Sequence, residues 1–199
     1  MTAIFLRYFH LVLFLGTTNF LMANVSGKDF LITLNGSKLT GQVKDISLSE
    51  NKSHLSFEND FGDLYVIHPA TVYGFAFEKN GEVTLYESKF LNGNWLFLKV
   101  ENRGQALSLY TSSERQMKFI NLNEAPVVES ERAVQVWLQF AKEEPFKVFR
   151  FNYKRILKKR MAAYPVITEQ LGKRGFKHRD LPAIVELYNR LHESGNKTK

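Results

Sequence analysis

The 199-residue chain contains no cysteine, and this absence excludes several classes of protein. Without thiols the protein has no disulfide bonds, no cysteine nucleophile and no thiolate ligands for a metal ion. It also cannot be a lipid-anchored bacterial lipoprotein, because that class carries its lipid on a cysteine at the cleavage site. Any stability must therefore come from a packed core, for which a hydrophobic fraction of 44% is ample.

Recognisable catalytic motifs are also lacking. The nucleophile-elbow pattern Gly-x-Ser-x-Gly and the zinc-protease pattern His-Glu-x-x-His are both absent. We interpret His54, His68, His178 and His192 as surface or half-buried structural residues. A catalytic triad can be assembled from residues far apart in the chain, so a hydrolase with a dispersed site stays open as a second alternative. The sequence nevertheless predicts no enzymatic activity and no cofactor.

No apolar run reaches the length of about 20 residues that a membrane-spanning helix needs. The chain instead begins like a secretory signal peptide: Arg7 is the only charged residue before Lys28, an apolar run follows at residues 11–15, and Leu21-Met22-Ala23 is an acceptable cleavage signal, although Leu21 is larger than the residue preferred there. We predict that residues 1–23 are a signal peptide, cleaved after Ala23, with retention as an anchor as the alternative. The protein is then exported, and is periplasmic, associated with the cell envelope or secreted.

Charge is unevenly distributed along the chain, whose net charge is +7. Residues 24–130 hold 10 basic and 13 acidic side chains, whereas residues 131–199 hold 16 basic and 7 acidic ones. In an exported protein we do not expect a basic end of this kind to bind nucleic acid. An acidic envelope protein, anionic lipid, lipopolysaccharide or an acidic polymer is the expected partner.

The first two thirds of the chain alternate between short strand-like segments and tight turns. Asn35-Gly36, Asn80-Gly81 and Asn92-Gly93 are typical of two-residue hairpin turns. Strands are predicted at residues 28–34, 38–46, 53–58, 64–68, 71–77, 82–90, 94–101, 105–110 and 116–120. Many short strands at this spacing predict an antiparallel β-barrel or a strongly curved β-meander.

The last third is predicted to end in helices. Alternating apolar residues at 133–140 favour a strand paired with residues 146–151, although a short helix starting at Ser130 fits as well. Helices are predicted at residues 153–163, with Asn152 as N-cap, at 165–172, and at 181–193, with Asp180 as N-cap. The predicted fold is α+β, with a β-rich domain (residues 24–130) and a basic β-hairpin and helical subdomain (residues 131–199). The boundary is soft, and the two parts can share one core.

Three segments carry a resemblance to a known group of proteins. They are residues 30–43 (FLITLNGSKLTGQV), residues 97–110 (FLKVENRGQALSLY) and residues 180–191 (DLPAIVELYNRL). Each resembles a segment of uncharacterised exported proteins abundant in Bacteroidetes: an opening strand-turn-strand, a strand followed by Gly and Leu-Tyr, and a final helix with a Tyr-Asn pair. The resemblance implies an envelope location in a bacterium with two membranes. The group has no established activity, so it assigns no functional residue.

Two local patterns have both a functional and a structural interpretation. Residues 58–63 place three carboxylates and an amide around Gly62, as in a calcium site, but lack the bidentate glutamate that closes an EF-hand loop. We interpret this segment as a hairpin turn and predict no metal site. Tyr73, Phe75 and Phe77 share one face of a predicted strand, which suits a sugar- or peptide-binding cleft. Their alternation is equally typical of a core, and we favour the core.

A basic segment is the strongest candidate for a binding site. Between residues 147 and 160 there are seven basic side chains and no acidic one: Lys147, Arg150, Lys154, Arg155, Lys158, Lys159 and Arg160. Such a run is ordinarily a solvated helix face. As a hypothesis, it binds an anion or an acidic partner, which makes the protein a non-enzymatic envelope binding or assembly protein. The alternative is peripheral binding of anionic lipid or lipopolysaccharide through the same residues.

Overall fold

The computed structural model describes residues 29–48, 53–112, 115–118, 127–131 and 135–196. The predicted signal peptide and its cleavage site lie outside these residues. The strands are β1 (Asp29–Thr33), β2 (Lys38–Leu48), β3 (His54–Asn59), β4 (Leu64–Ile67), β5 (Val72–Lys79), β6 (Glu82–Leu91), β7 (Asn94–Asn102), β8 (Leu107–Ser112), β9 (Arg115–Lys118), β10 (Val127–Glu131), β11 (Gln135–Phe140) and β12 (Phe146–Val148). The helices are α1 (Tyr153–Arg160), α2 (Pro165–Thr168) and α3 (Leu181–Asn196), with 3-10 turns at Pro69–Thr71 and His178–Asp180.

All described strands belong to one antiparallel sheet. Its main path runs in the order β10-β9-β2-β1-β5-β6-β7-β8-β11-β12, and β3 and β4 branch from β2. The long strand β2 pairs with β1 near its start and with β9 near its end, and its residues 41–47 pair with β3. Within the described residues the end strands β10 and β12 pair only with β9 and β11, so the sheet is open. The predicted α+β fold is therefore confirmed as a curved meander with a helical end, and the barrel alternative is wrong.

Aromatic side chains fill the core of the β part. Phe75 is fully buried, stacked on Tyr86 at a centroid distance of 4.8 Å and edge-on to Phe97 at 4.9 Å. Phe77 is buried in the same cluster, as predicted, but Tyr73 is half exposed. The pairing of β1 with β5 shifts register between Ile32 and Thr33, which leaves Tyr73 without a partner residue on β1. This bulge breaks the alternation, so placing Tyr73 in the core was wrong.

Two of the three Asn-Gly turns have the backbone that the pattern predicts. Asn80 and Gly81 have φ values of 53° and 79°, and Asn92 and Gly93 have 49° and 84°. At the first turn only Gly36 has a positive φ. There Asn35 accepts hydrogen bonds through its side chain instead, from the Thr33 hydroxyl at 2.5 Å and the Ser37 amide at 3.1 Å. The turns that link β5 to β6 and β6 to β7 are therefore set locally.

The predicted hairpin in the last third is confirmed, because β11 pairs with β12 from Val136–Val148 to Leu138–Phe146. The helices that follow pack against β8 and β11 in one cluster. Its fully buried members come from both sides of residue 130 and include Leu107, Leu138, Leu157, Met161, Ile167 and Val185. Among the described residues, no helix is long and apolar enough to cross a membrane.

Neither predicted N-cap acts as expected. Asn152 stands at the N-cap position of α1 but makes no capping hydrogen bond; its side chain accepts from the Phe149 amide at 2.9 Å. Asp180 directly precedes α3, and its carboxylate accepts from the Lys177 amide at 2.9 Å. Both side chains therefore stabilise the turn before their helix, which is another common use of Asn and Asp.

A buried asparagine joins the last helix to the sheet. The Asn189 side chain accepts from the amide of Leu107 at 2.9 Å and from that of Ala106 at 3.3 Å, and it donates to the Leu107 carbonyl at 2.8 Å. A Cβ atom on Gly104 would overlap this side chain. Asn189 of α3 and the Gly104 connection thus form one contact, which we call the Asn189 clamp.

Strand β4 forms an outer edge of the sheet. It pairs with β3 alone among the described strands, and its side chains Leu64, Tyr65 and Val66 are all exposed. The turn that precedes it exposes Phe61 as well. This edge therefore exposes apolar side chains on a strand that has one partner strand in the described part of the chain.

Candidate functional site

Helix α1 brings four of the predicted basic residues together on its outer face. Tyr153, Leu157 and Met161 are buried against the sheet, so at 3.6 residues per turn the opposite side faces solvent. That side carries Lys154, Arg155, Lys158 and Lys159, which are all exposed. Within the described part of the chain, none of these four forms an ion pair. We call these four residues the basic face.

Two other basic residues of the predicted segment, Arg160 and Lys147, make intramolecular contacts with the β11–β12 hairpin. The Arg160 guanidinium lies over the Phe140 ring at 5.3 Å and the Phe146 ring at 4.8 Å, and it pairs with Glu143. Arg160 therefore attaches α1 to the β11–β12 hairpin. Lys147 lies over the Trp137 ring at 5.3 Å. The structure thus places Arg160 and Lys147 apart from the basic face.

An exposed aromatic pair lies directly before α1. The rings of Phe149 and Phe151 stack at a centroid distance of 5.3 Å, and their residues are 43% and 86% exposed. We predicted a strand through residue 151, but β12 ends at Val148, because the chain turns where the amides of Asn152 and Tyr153 donate to the Phe149 carbonyl. A strand through residue 151 would place both rings on one face, since residues i and i+2 share a face, but alternation alone does not tell a buried face from an exposed one. We call Phe149 and Phe151 the Phe pair.

The N-terminal turn of α1 has an unfavourable charge. It contains Lys154 and Arg155, no acidic residue and no side-chain cap. Cations at this end oppose the helix dipole, at a cost of roughly 0.3–1 kcal/mol each. Lys158 and Lys159 in the last turn have the favourable orientation. The basic residues at the start of α1 are thus not explained by helix stability.

A second site, which the sequence did not reveal, is a cleft of about 270 Å³ on the sheet. Strand β5 supplies Tyr73, β6 supplies Glu87 and Lys89, and the β7–β8 connection supplies Arg103 and Gly104. Strands β8 and β11 and the β11–β12 turn supply the rest. Its charged and hydrogen-bonding residues include Glu87, Lys89, Arg103, Tyr110, Gln139 and Lys142. We call this the Glu87 cleft.

The Glu87 side chain, only 2% exposed, is the centre of this cleft. Its Oε2 accepts from Lys89 Nζ at 2.8 Å and from the Tyr110 hydroxyl at 2.9 Å, and its Oε1 pairs with the Arg103 guanidinium. Lys89 Nζ also lies 4.8 Å from the centre of the Tyr110 ring. A buried carboxylate needs such partners, because an unpaired buried charge is very costly.

The histidines occupy structural positions away from the Glu87 cleft. His68 Nδ1 accepts from the Ala70 amide at 3.2 Å, His192 Nδ1 lies 3.1 Å from the Tyr164 hydroxyl, and His178 Nε2 lies 3.2 Å from the Val148 carbonyl. His54, on β3, is half buried. The cleft therefore does not gather His54 or His68 with carboxylates, which is the arrangement expected for a hydrolase with a dispersed site.

The acidic segment at residues 58–63 is a turn, as interpreted from the sequence. Asn59 Oδ1 accepts from the amides of Phe61 and Asp63, each at 2.9 Å, and Asp60 accepts from the Thr40 hydroxyl at 2.5 Å. Asn59 thus serves the turn itself, and Asp60 links the turn to Thr40 on β2. Among the residues that the structure describes, no group of three or more His, Asp and Glu side chains is arranged to hold a metal ion.

No protein-family model, curated protein or solved structure matches the chain. The resemblance of residues 30–43, 97–110 and 180–191 to exported Bacteroidetes proteins therefore stays a prediction, and so does the envelope location. Arguments about function rest on the basic face, the Phe pair and the Glu87 cleft.

Proposed function

We propose that the protein is a non-enzymatic peripheral binding protein that docks on an anionic lipid surface of the cell envelope. The observation that carries this proposal is the exposed Phe pair next to the basic face of α1. Cations beside an exposed aromatic pair suit the membrane interface, where lipid phosphates meet the acyl chains. The envelope location itself rests on the predicted signal peptide.

The expected strength of binding follows from these two features. Each Lys or Arg near an anionic membrane contributes about 1 kcal/mol, so the basic face supplies roughly 4 kcal/mol. Burial of Phe151, which is 86% exposed, adds about 2 kcal/mol. The total corresponds to a Kd between about 1 mM and 1 μM. Such docking is reversible, as expected of a peripheral protein.

The Phe pair favours lipid over an acidic protein, which was the first choice from the sequence. An acidic protein surface explains the basic face but gives no role to two exposed stacked rings. A lipid interface accepts aromatic rings without needing a complementary pocket. The lipid surface therefore accounts for both features with one partner.

The test is co-sedimentation of the purified protein with vesicles. We expect binding to vesicles that contain phosphatidylglycerol, no binding to vesicles of phosphatidylcholine alone, and weaker binding as salt screens the charges. Reversal of the four basic-face residues to Glu should abolish binding. Phe151→Ser should weaken it roughly tenfold or more, since burial of the ring is lost.

Two matched variants serve as controls. Phe61→Ser removes an equally exposed ring from the distant β3–β4 turn, and Arg190→Glu reverses an exposed charge on α3. Both should bind nearly as well as the unmodified protein. Equal binding to neutral and anionic vesicles, or full binding by the fourfold Glu variant, would overturn the proposal. Absence of vesicle binding together with crosslinking to an acidic envelope protein would instead support the protein partner.

A further inference from the structure

The Glu87 cleft has an excess of positive charge that the docking proposal does not use. Glu87 is the only carboxylate among its described lining residues, against the three cations Lys89, Arg103 and Lys142. This excess is unexpected, because residues 24–130 carry more acidic than basic side chains. A concave site of one sign concentrates ligands of the opposite sign.

Glu87 positions the cations and is itself hidden from a ligand. Its two oxygens hold Lys89 and Arg103 on opposite sides, and each cation spends only part of its donor capacity on this carboxylate. A lysine has three N–H donors and an arginine five. Arg103 is 49% exposed on its side chain, whereas Glu87 is 2% exposed. A molecule in the cleft therefore meets N–H donors and not the carboxylate.

The surrounding backbone is fixed in place. Arg103 lies in the short β7–β8 connection, where the Ser108 hydroxyl bonds to both the amide and the carbonyl of Gly104. The Asn189 clamp holds the same connection from the other side. A site whose donors are already oriented loses little entropy when a ligand binds.

From this geometry we infer that the Glu87 cleft binds a small organic anion, a monosaccharide-sized molecule that carries a carboxylate or a phosphate. The planar guanidinium of Arg103 suits either group. The volume of about 270 Å³ lies just below the range of pockets for drug-sized ligands. The half-exposed ring of Tyr73 lines the same cleft and offers an apolar face to the body of the ligand.

Isothermal titration with four probes tests the inference: glucuronate, glucose 6-phosphate, inorganic phosphate and neutral glucose, all at one ionic strength. We expect saturable binding of at least one sugar anion and none of glucose. The relative affinities of glucuronate and glucose 6-phosphate show whether the cleft prefers a carboxylate or a phosphate. Inorganic phosphate binding as tightly as glucose 6-phosphate would show that the sugar body contributes nothing. Absence of saturable binding for all three anions would overturn the inference.

Variants locate the binding. Arg103→Ala should weaken it at least tenfold, and Lys142→Gln, on an exposed turn, should weaken it several-fold without affecting folding. Lys99→Ala is the matched control, because Lys99 pairs with Glu101 outside the cleft. Unchanged affinity in both Arg103→Ala and Lys142→Gln would refute the site. The fourfold Glu variant of the basic face should keep this binding, so failure of the docking proposal and failure of this inference are separable.

Discussion

The Asn189 clamp shows how two single residues determine where the last helix sits. Gly104→Ala should lower the free energy of unfolding by about 1–3 kcal/mol, because the added methyl group displaces the Asn189 amide from its partners on β8. The same substitution should cost less in an Asn189→Ala background, where the space is free. Urea unfolding of the unmodified protein, the two single variants and the double variant measures the cost of Gly104→Ala in each background. These four proteins form a double-mutant cycle.

Gly195→Ala is the matched control for that cycle, because a Cβ at this position on α3 meets open space. It should raise stability slightly, as alanine is the better helix former. Equal costs of Gly104→Ala in the two backgrounds would contradict direct contact. A coupling above about 0.5 kcal/mol is expected for residues that touch.

Asp29 gives the protein a pH-dependent stability. Burial raises the pKa of its carboxyl above the usual 3.8, although the amides of Val43 and Glu78 donate to it and Lys79 attracts it. The folded state therefore holds this proton more tightly than the unfolded state. The contribution of protonated Asp29 is fully present below pH 3.8 and is lost as the pH rises through the raised pKa.

Comparison with Asp29→Asn isolates this effect, since the amide does not titrate. The unfolding free energy of the unmodified protein minus that of the variant should fall as the pH rises from the acidic range to neutrality. Urea titrations at a series of pH values measure this difference. Glu82→Gln, at the exposed first residue of β6, is the control and should show little change. A difference that grows with pH would contradict the raised pKa.

At the scale of the element, α1 should show opposite effects on stability and binding. Lys154→Glu and Arg155→Glu put an acid at the positive end of the helix dipole, so each should raise stability by roughly 0.3–1 kcal/mol. Each should also weaken binding to phosphatidylglycerol vesicles about fivefold or more, because a membrane cation is lost. Thermal unfolding and co-sedimentation measure the two effects on one sample.

Lys158→Glu supplies the contrast, since Lys158 lies in the last turn of α1. There the same reversal should lower both stability and vesicle binding, because an acid is unfavourable at that end. A parallel loss of stability and binding in all three variants would mean that the basic residues serve the helix and not a partner. The sign of the stability change thus separates the two roles.

Most elements could be predicted from local sequence, and two exceptions have specific structural causes. Asn80-Gly81 and Asn92-Gly93 make their turns as expected because both residues tolerate a positive φ. The end of β12 was misplaced because the bond from the Phe149 amide to the Asn152 side chain closes a turn that alternation does not predict. The bulge at Tyr73 was missed because it depends on the pairing with β1, a partner distant in the chain.

At the scale of the whole molecule, the two candidate sites differ in how far sequence could reveal them. The basic face comes from one helix, so i, i+4 spacing was enough to predict it. The Glu87 cleft gathers residues from β5, β6, the β7–β8 connection, β8, β11 and the β11–β12 turn, which only the pairing of β5 to β8 and β11 brings together. Nothing in the sequence around Glu87 distinguishes it from a surface glutamate on a strand.

The outer edge at β4 has a practical consequence for handling the protein. Two copies that meet edge to edge along Leu64–Ile67 can continue the sheet from one molecule into the next. Sample concentration is then expected to limit how long the protein stays monodisperse. A single lysine at Val66 would place a repelling charge on each approaching edge, and it leaves the basic face and the cleft untouched.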